Sequence, residues 1–346
     1  MRLLIAVFSC LAIAGPVVAQ QGGGAFKAIA GLQGADREAR LLEGAKKESG
    51  LTLYSSATQE DMSVFTAAFE KKYGLRTKLW RGNSEGILHR AISEARAGRD
   101  DLDIVETGGS ALEALHREGL LQPMQAPVFA DLAPQALTPH RAWTATRIQI
   151  QPNGYNTRLI RKEDLPKSYE DLLDPRWKGK LAIEIDDSHW WGPMVELMGE
   201  EKGVKLFRDI VARNGVSVRK GHSLLASLTA SGEVPLALGI YQYRYEQMKA
   251  EGAPVDYFYL PPLMAHGVGA GVARKAPHPY TAALFFDFLL GDGQHLLARR
   301  HATPSNVRVK PLPPGLNFVD FGHVLDGGDK WATLFREVFV ARGSRN

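Results

Sequence analysis

Two tyrosines follow a short apolar run near residue 240, and their phenol groups could contact a ligand. The run at 234–240 is unbroken, which is typical of a buried strand, and Tyr241 and Tyr243 stand where it ends. Ligands of open α/β sheets bind outside the carboxyl ends of the strands. Half-buried tyrosines are also common packing residues, so the role of this pair depends on the side chains placed beside it.

Three polar turns in the amino-terminal half could supply those side chains. Each turn follows a predicted strand and precedes a predicted helix, and together they contribute Ser55, Ser56, Arg81, Ser84, Gly109 and Ser110. Backbone N–H groups and hydroxyls at helix starts bind carboxylates and phosphates, and an arginine binds either in a bidentate manner. Each serine taken alone is better explained as a helix cap. Three such turns at one sheet edge, with an arginine among them, favour a site.

Two loops in the carboxyl-terminal half provide a second set of candidates. One follows a predicted strand at 181–185 and the other precedes a predicted helix at 223–231; they contribute Asp187, Ser188, His189, Trp190, Trp191 and Ser223. Aromatic faces and imidazole donors suit a ligand with an apolar or ring portion. Asp187 is predicted to cap its helix, with contact to a ligand amine as the alternative. One tryptophan is expected in the core, because neighbours on a helix diverge.

Strands and helices alternate along most of the chain and must position these side chains. Strand–helix units repeat three times between residues 51 and 118, and a second series follows the Pro/Ala-rich segment at 123–139. This alternation predicts an α/β fold with parallel strands and crossover helices. A chain of 346 residues is long enough for two domains, each with its own core.

The amino terminus has the pattern of an export signal. A positive start, an apolar stretch and small residues at 17–19 predict a secretory signal peptide at 1–19. The single cysteine, Cys10, lies inside it, so the mature chain is expected to hold no disulfide and no reactive thiol. Residues 20–34 are expected to form a mobile leader. The predicted product is a periplasmic protein.

Several function classes are disfavoured by composition and by missing motifs. The formal net charge of +4 is scattered without a basic run, which argues against a nucleic-acid partner. The chain has no H-E-x-x-H metal motif and no G-x-S-x-G nucleophile turn, and the adjacent Asp187, Ser188 and His189 cannot readily face one another as a triad. We therefore predict no metal site, no cofactor and no enzymatic activity, with a periplasmic hydrolase as a distant alternative.

Several stretches in a fixed order resemble a known family. They are LTLYSSATQED, DLDIVETGGSALEALHREGLLQP, GYNTRLI with EDLPKSYEDLLDPRWKGKLAI, GEVPLALGIYQY and PYTAALFFDFLLGDGQHLL. The chain resembles the extracellular solute-binding proteins of ATP-driven (ABC) importers, family 1, in the branch that includes the ferric-ion-binding proteins. The resemblance implies a two-lobe periplasmic-binding-protein fold of type II, with a hinge and a ligand in the cleft. It also implies a monomer that delivers a small-molecule ligand to a membrane permease.

The resemblance also implies domain bounds and a closing motion. Lobe 1 would comprise residues 35–150 plus 263–346, and lobe 2 would comprise residues 151–262. The open form would bind its ligand on lobe 1, and closure would bring lobe 2 onto it.

The ligand is predicted by comparing residues with the ferric-binding branch. Ferric-binding relatives use two adjacent tyrosines; Tyr243 matches the second, Gln242 falls on the first, and Tyr241 lies one place early. A ferric ion needs several anionic oxygen ligands, and one phenolate with one carboxylate is too few. We therefore expect a small organic anion, such as a carboxylate, phosphonate or phosphate ester, bound through Arg81. Ferric iron, alone or with a synergistic anion, is the alternative.

Overall fold

The computed structural model describes residues 21–341 of the 346-residue chain. The predicted signal peptide at 1–19 lies outside the described residues. The described part is a mixed α/β structure with two separate sheets. The predicted fold class, a two-lobe type II periplasmic-binding-protein fold, is confirmed.

Thirteen α-helices and thirteen strands are described between residues 21 and 341. The helices are α1 (Gln21–Ala30), α2 (Arg37–Ala45), α3 (Gln59–Tyr73), α4 (Ser84–Arg96), α5 (Gly109–Arg117), α6 (Ser188–Leu197), α7 (Glu200–Asn214), α8 (His222–Ser231), α9 (Gln242–Ala250), α10 (Pro279–Leu290), α11 (Asp292–Arg299), α12 (Phe321–Asp326) and α13 (Lys330–Phe335). The strands are β1 (Leu51–Ser55), β2 (Thr77–Arg81), β3 (Ile104–Gly108), β4 (Leu121–Gln122), β5 (Thr144–Gln151), β6 (Asn153–Asn156), β7 (Leu181–Glu184), β8 (Ser217–Arg219), β9 (Leu236–Ala237), β10 (Val255–Phe258), β11 (Leu263–Ala273), β12 (Thr303–Pro304) and β13 (Leu316–Phe318).

The larger sheet has eight strands, and we call it with its packed helices the first lobe. Its main path runs β12-β5-β11-β3-β1-β2, with β4 and β13 also paired to β11. Strands β1, β2 and β3 are parallel, as the strand–helix alternation predicts. Strand β11 runs antiparallel to both β3 and β5. The turns after β1, β2 and β3 therefore meet at one edge of this sheet.

The smaller sheet has five strands in the order β10-β6-β9-β7-β8, and we call it with its helices the second lobe. Strand β7 is parallel to β8 and to β9, so the turns after these three strands also meet at one edge. The chain passes between the lobes at Pro152, between β5 and β6, and again along 259–262, between β10 and β11. Strands β5 and β11 are paired where they leave the first lobe, with Gln151 opposite Met264.

The predicted mobile leader at 20–34 differs from the structure, because Gln21–Ala30 is helical. Phe26 and Ile29 of α1 are buried, and α1 packs on α10. Arg37 Nη1 donates hydrogen bonds to the carbonyl groups of Ile29 and Leu32, and Arg37 pairs with Asp287 at 2.6 Å. Apolar burial and this arginine together attach the segment to the first lobe.

The carboxyl-terminal helices contact both lobes, which differs from the predicted assignment of 263–346 to lobe 1. Helix α12 packs on α5 of the first lobe, whereas α13 packs on α6 of the second. Trp331 of α13 lies against Gly192, and Trp191 stacks edge-on against Phe335. Burial of these aromatic rings holds α13 against the second lobe.

No helix in the described residues is both long enough and apolar enough to cross a membrane.

Candidate functional site

A cavity of about 530 Å³ lies between the lobes at the carboxyl ends of their strands. The first lobe lines it with the turns after β1, β2 and β3 and with side chains of β5 and β11; the second lobe lines it with the turns after β7, β8 and β9. Small-molecule sites typically occupy about 300–1,000 Å³. The cavity is therefore large enough for a small organic ligand, and for an ion with its accompanying ligands.

Glu106, which is buried, and Arg147, which is half-buried, form an ion pair in the first-lobe wall. Arg147 Nη1 lies 3.0 Å from Glu106 Oε1, and Ser55 Oγ donates to Glu106 Oε2 at 2.6 Å. Ser55 is fully buried and lies beneath Glu106, so it supports the wall without lining the cavity. Arg147 Nε is buried and has no hydrogen-bond partner among the described residues.

A second arginine of the first lobe is also held by carboxylates. Arg300 pairs with Asp61 and with Glu60, both in the first turn of α3. Both Arg300 and Asp61 line the cavity. Each guanidinium group that lines the cavity is therefore paired with an acid of the same lobe.

The start of α5 forms a third part of the first-lobe wall. Gly109, Ser110 and Ala111 line the cavity, so backbone N–H groups of a helix start face it. A Cβ on Gly109 would overlap the Phe321 ring, which explains why only glycine fits between α5 and α12. Ser84, whose Oγ accepts from Thr107 Oγ1 at 2.9 Å, lines the cavity beside this helix start.

Tyr241 and Tyr243 carry phenol groups into the cavity from the second lobe. The Tyr241 ring stacks on the His222 ring with centroids 3.6 Å apart, and it lies 6.2 Å from the Tyr243 ring. Burial raises the pKa of Tyr241 and of Tyr243, and Arg147 partly offsets the rise for Tyr243. Both phenols are therefore protonated at neutral pH, and a metal ion would have to displace their protons.

Three histidines line the same cavity: His189 and His222 of the second lobe and His266 of the first. His189 and His266 meet across the lobes with ring centroids 5.2 Å apart and an interplanar angle of 84°. Burial lowers the pKa of His189, and it lowers the pKa of His266 well below the ordinary value. Both are neutral imidazoles at neutral pH.

The His222 imidazole is paired with the carboxylate of Asp187. Its Nε2 lies 3.2 Å from Oδ1 of Asp187, which is fully buried. Burial alone would lower the pKa of His222, but the charge and hydrogen bond of Asp187, together with the charges of Glu184 and Asp186, outweigh it and the pKa is raised. Glu184 belongs to the same group of possible metal ligands, yet both its oxygens accept backbone N–H groups, from Asp186 at 2.6 Å and from Gly221 at 2.7 Å.

The charges that line the cavity sum to a negative value. Two arginines face five carboxylates, which are Asp61, Glu85, Glu106, Glu184 and Asp186. With the imidazoles left out of the sum, the lining carries an excess of three formal negative charges. Because both arginines are paired on the first lobe, the uncompensated charge of Glu184 and Asp186 lies on the second lobe near Tyr241.

A second group of possible metal ligands, Glu113, His116 and His140, lies outside this cavity. The two imidazole rings stack with centroids 3.6 Å apart and an interplanar angle of 11°. Ligand lone pairs lie in the ring planes, so nearly parallel planes at this spacing cannot both point at one ion. The Glu113 carboxylate is also hydrogen-bonded to His140 Nε2 and to Trp143 Nε1. This cluster is a structural hydrogen-bond network.

The predicted site residues divide into two sets. Those that line the cavity are Ser56, Ser84, Gly109, Ser110, His189, Tyr241 and Tyr243. Those that do not are Ser55, Arg81, Asp187, Ser188, Trp190, Trp191 and Ser223.

Four residues of the second set differ most from the prediction. Arg81 is exposed on the edge strand β2, and its Nε donates to the Ala57 carbonyl at 2.6 Å. Trp190 and Trp191 are both fully buried, because Trp190 packs under Gly239 and Trp191 packs among aromatic rings. Ser223 is exposed on α8.

The lining contains charged and imidazole side chains that the sequence analysis did not select, among them Asp61, Glu106, Arg147, His266 and Arg300. Arg147 and Gln149 alternate with apolar residues in β5, a signal that could have placed both on one face of a strand. His266 and Arg300 lie far along the chain from the turns they face. Only the pairing of β11 with β5 and β3 brings His266 to the cavity.

Comparison with known proteins identifies the class to which this fold and cleft belong. The family described as bacterial extracellular solute-binding protein matches residues 51–301. The chain belongs to this family. It is therefore an extracellular solute-binding protein, whose ligand is a small solute.

Individual relatives are more distant. The chain is 24% identical over 302 residues to "Iron uptake protein A1" of Synechocystis, covering 81% of this chain and 83% of that protein. It is 22% identical over 289 residues to "Fe(3+)-binding periplasmic protein" of Serratia marcescens, covering 78% and 85%. Iron-bound HitA from Pseudomonas aeruginosa has a similar structure, with a TM-score of 0.69, 23% identity and coverage of 84% of this chain and 99% of that one.

Proposed function

We propose that this protein captures ferric iron in the cleft and delivers it to its permease. The observation that carries the proposal is the cavity lining, which combines two phenols with an excess of negative charge. A hard, highly charged cation is stabilised by anionic oxygen ligands. The names of the relatives point the same way, since the two sequence relatives above are named for iron uptake and Fe(3+) binding.

Tyr241 and Tyr243 are the proposed phenolate ligands. They stand on the second lobe, on the side of the cavity where Glu184 and Asp186 are not neutralised by an arginine. First-lobe carboxylates Glu106 and Asp61 face them across the cleft, so an ion bound between them would join the two lobes.

The ferric proposal takes precedence over the organic anion expected from the sequence. Arg81, on which that expectation depends, lies outside the cavity lining, and the two arginines in the lining are already paired. One observation still favours an organic anion as a second candidate: the buried Arg147 Nε lacks a partner and could donate to a carboxylate or phosphate.

A visible absorption band separates the two candidates. Ligand-stripped protein titrated with ferric nitrilotriacetate should develop the colour of a ferric–phenolate complex. Tyr241→Phe and Tyr243→Phe should each lose most of that band and weaken ferric binding by at least about tenfold. Tyr73→Phe is the matched control, since Tyr73 lies on α3 outside the cavity and donates to Glu38.

The opposite result would be a colourless protein whose melting temperature rises only with organic carboxylates or phosphates. Loss of that rise in Arg147→Gln would then assign the cleft to an organic anion.

A further inference from the structure

Three side chains of the second lobe form a compact group of oxygen and nitrogen ligands beside the cleft. Glu184, Asp187 and His222 each offer one ligand atom, and these atoms all lie within 4.8 Å of one another. We infer that this group binds one divalent transition-metal cation, of the zinc and manganese class. The inference goes beyond ferric capture and does not depend on it.

Local structure brings the three residues together. Strands β7 and β8 are parallel neighbours, so the segments that follow them leave the sheet at the same edge. Glu184 ends β7, Asp187 directly precedes α6, and His222 begins α8. Glu184 accepts N–H groups from both following segments, from Asp186 at 2.6 Å and from Gly221 at 2.7 Å. These two hydrogen bonds hold the segments beside each other.

Asp187 is a buried carboxylate to which no described residue donates a hydrogen bond. Its side chain is fully buried, and both of its oxygens lack a hydrogen-bond partner among the described residues. It precedes α6 without capping it, since its side chain makes no hydrogen bond to the helix start. A buried charge is costly unless it is paired or coordinates a metal ion, so this carboxylate indicates a cationic partner.

Asp187 and His222 already have the spacing of two ligands of one ion. Asp187 Oδ1 lies 3.2 Å from His222 Nε2. Two atoms that each lie about 2.1 Å from one zinc ion are about 3.0–3.4 Å apart at octahedral to tetrahedral angles. A bound ion could therefore replace the proton between these two atoms with little change in their separation.

Glu184 can still bind a cation although both of its oxygens accept hydrogen bonds. Each oxygen of an ionised carboxylate has two acceptor positions, so one position on each oxygen is left. Carboxylates that bind metal ions are themselves held by hydrogen bonds of this kind. The group of Glu113, His116 and His140 differs, because its two imidazole planes are nearly parallel.

Charge and ligand type select the class of cation. Glu184 and Asp187 carry two formal negative charges when ionised, and among the described residues neither forms a salt bridge with a lysine or an arginine. A divalent ion would balance this charge. Imidazole suits zinc and carboxylate suits manganese, and water would complete the coordination. Glu184 and His222 line the cavity whereas Asp187 does not, so the ion would enter from the cleft.

Zinc titration of the ligand-stripped protein tests this site. Isothermal titration should show one Zn²⁺ per chain, and Zn²⁺ should raise the melting temperature. Asp187→Asn and His222→Gln should each weaken Zn²⁺ binding by at least about tenfold and reduce that rise. His116→Gln is the matched control, because His116 is a half-buried imidazole of the group outside the cleft, and it should change neither quantity.

The melting temperature of each variant is measured with and without Zn²⁺, so a change in its basal stability does not obscure the result. If Asp187→Asn fails to fold, His222→Gln supplies the same test. Unchanged Zn²⁺ affinity in both variants would overturn the inference.

The variants also separate this site from the ferric one. Tyr243→Phe should lose the ferric colour and keep Zn²⁺ binding, whereas Asp187→Asn should do the reverse. Loss of both Zn²⁺ binding and ferric colour in Asp187→Asn would mean that one shared site holds both ions, and it would overturn the inference of a separate site.

Discussion

Charged side chains in the cleft are already paired with one another when no ligand is bound. Arg147 pairs with Glu106, Arg300 pairs with Asp61, and His222 faces Asp187. Removing one partner of such a pair leaves a desolvated charge, which costs more than the pair contributes. Variants of unpaired groups, such as Tyr241 and Tyr243, therefore report on binding directly, whereas a variant of a paired group, such as Arg147→Gln, also needs its unfolding free energy measured.

His278 gives a pH-dependent contribution to stability. Its Nδ1 lies 2.9 Å from Asp103 Oδ2, and its Nε2 lies 2.7 Å from Ser49 Oγ. The hydrogen bond to Asp103 raises the pKa of His278, and the charge of Glu48 adds to the rise. Since the folded pKa exceeds the unfolded value of about 6.5, this stabilisation is complete below that pH and is lost as the pH rises through the folded pKa.

We expect His278→Gln to reduce the difference in urea-unfolding free energy between about pH 6 and pH 8, measured against wild type. His295→Gln, an exposed residue of α11, is the control. A wild-type and a variant protein with equal pH dependence would show that His278 is not charged in the fold.

At the scale of elements, the turn between β9 and α9 places Tyr241 in the cleft. Gly239 has a φ of +62°, and a Cβ there would overlap the Trp190 ring. Trp190 is fully buried beneath this turn, so the backbone that leads to Tyr241 lies directly on the ring.

Gly239→Ala is expected to destabilise the protein by about 1–3 kcal/mol and to weaken ferric binding by moving Tyr241. Gly252→Ala is the matched control, because Gly252 has a φ of +87° after α9 but nothing within 4 Å of the added Cβ. Denaturant unfolding and the ferric titration measure both effects. Equal losses in the two variants would mean that backbone strain, and not overlap with Trp190, is responsible.

The elements also show how far the sequence could predict the site. Ser56 and Gly109 follow strands directly, Ser84 and Tyr241 follow strands within four residues, and local alternation was enough to place them at the sheet edges. Arg81 also ends a strand, but β2 is the edge strand and its last side chain is exposed. His266 reaches the cavity only because β11 inserts between β3 and β5, an order of strands that periodicity does not encode.

Across the whole molecule, the carboxyl-terminal helices connect the lobes a third time. Helix α12 packs on the first lobe and α13 on the second. His323 pairs with Glu196 at 3.0 Å, Lys330 pairs with Glu200 at 2.5 Å, and Trp331 is buried against α6. Exposed ion pairs contribute little, so the aromatic packing supplies most of this attachment.

Trp331→Ala should lower the unfolding free energy by about 3–5 kcal/mol and release α13 from the second lobe. Leu197→Ala, at an exposed position of α6, is the control. Hydrogen exchange should show faster exchange of α13 amides in Trp331→Ala alone. Unchanged protection of α13 would mean that it does not depend on this contact for its position.

The paired strands β5 and β11 leave the first lobe side by side, and His266 lies on β11 close to that exit, held by Gln151 at the end of β5. When one rigid body turns against another, a point near the axis travels a short arc and a distant point travels a long one. If the lobes turn about this exit on closure, the surroundings of His266 are therefore expected to change little. Side chains farther from this exit, such as Ser56 and Glu85, would move through a greater distance. We therefore expect residues near His266 to determine which ligand binds, and residues far from this exit, such as Ser56 and Glu85, to determine how fast the bound ligand dissociates.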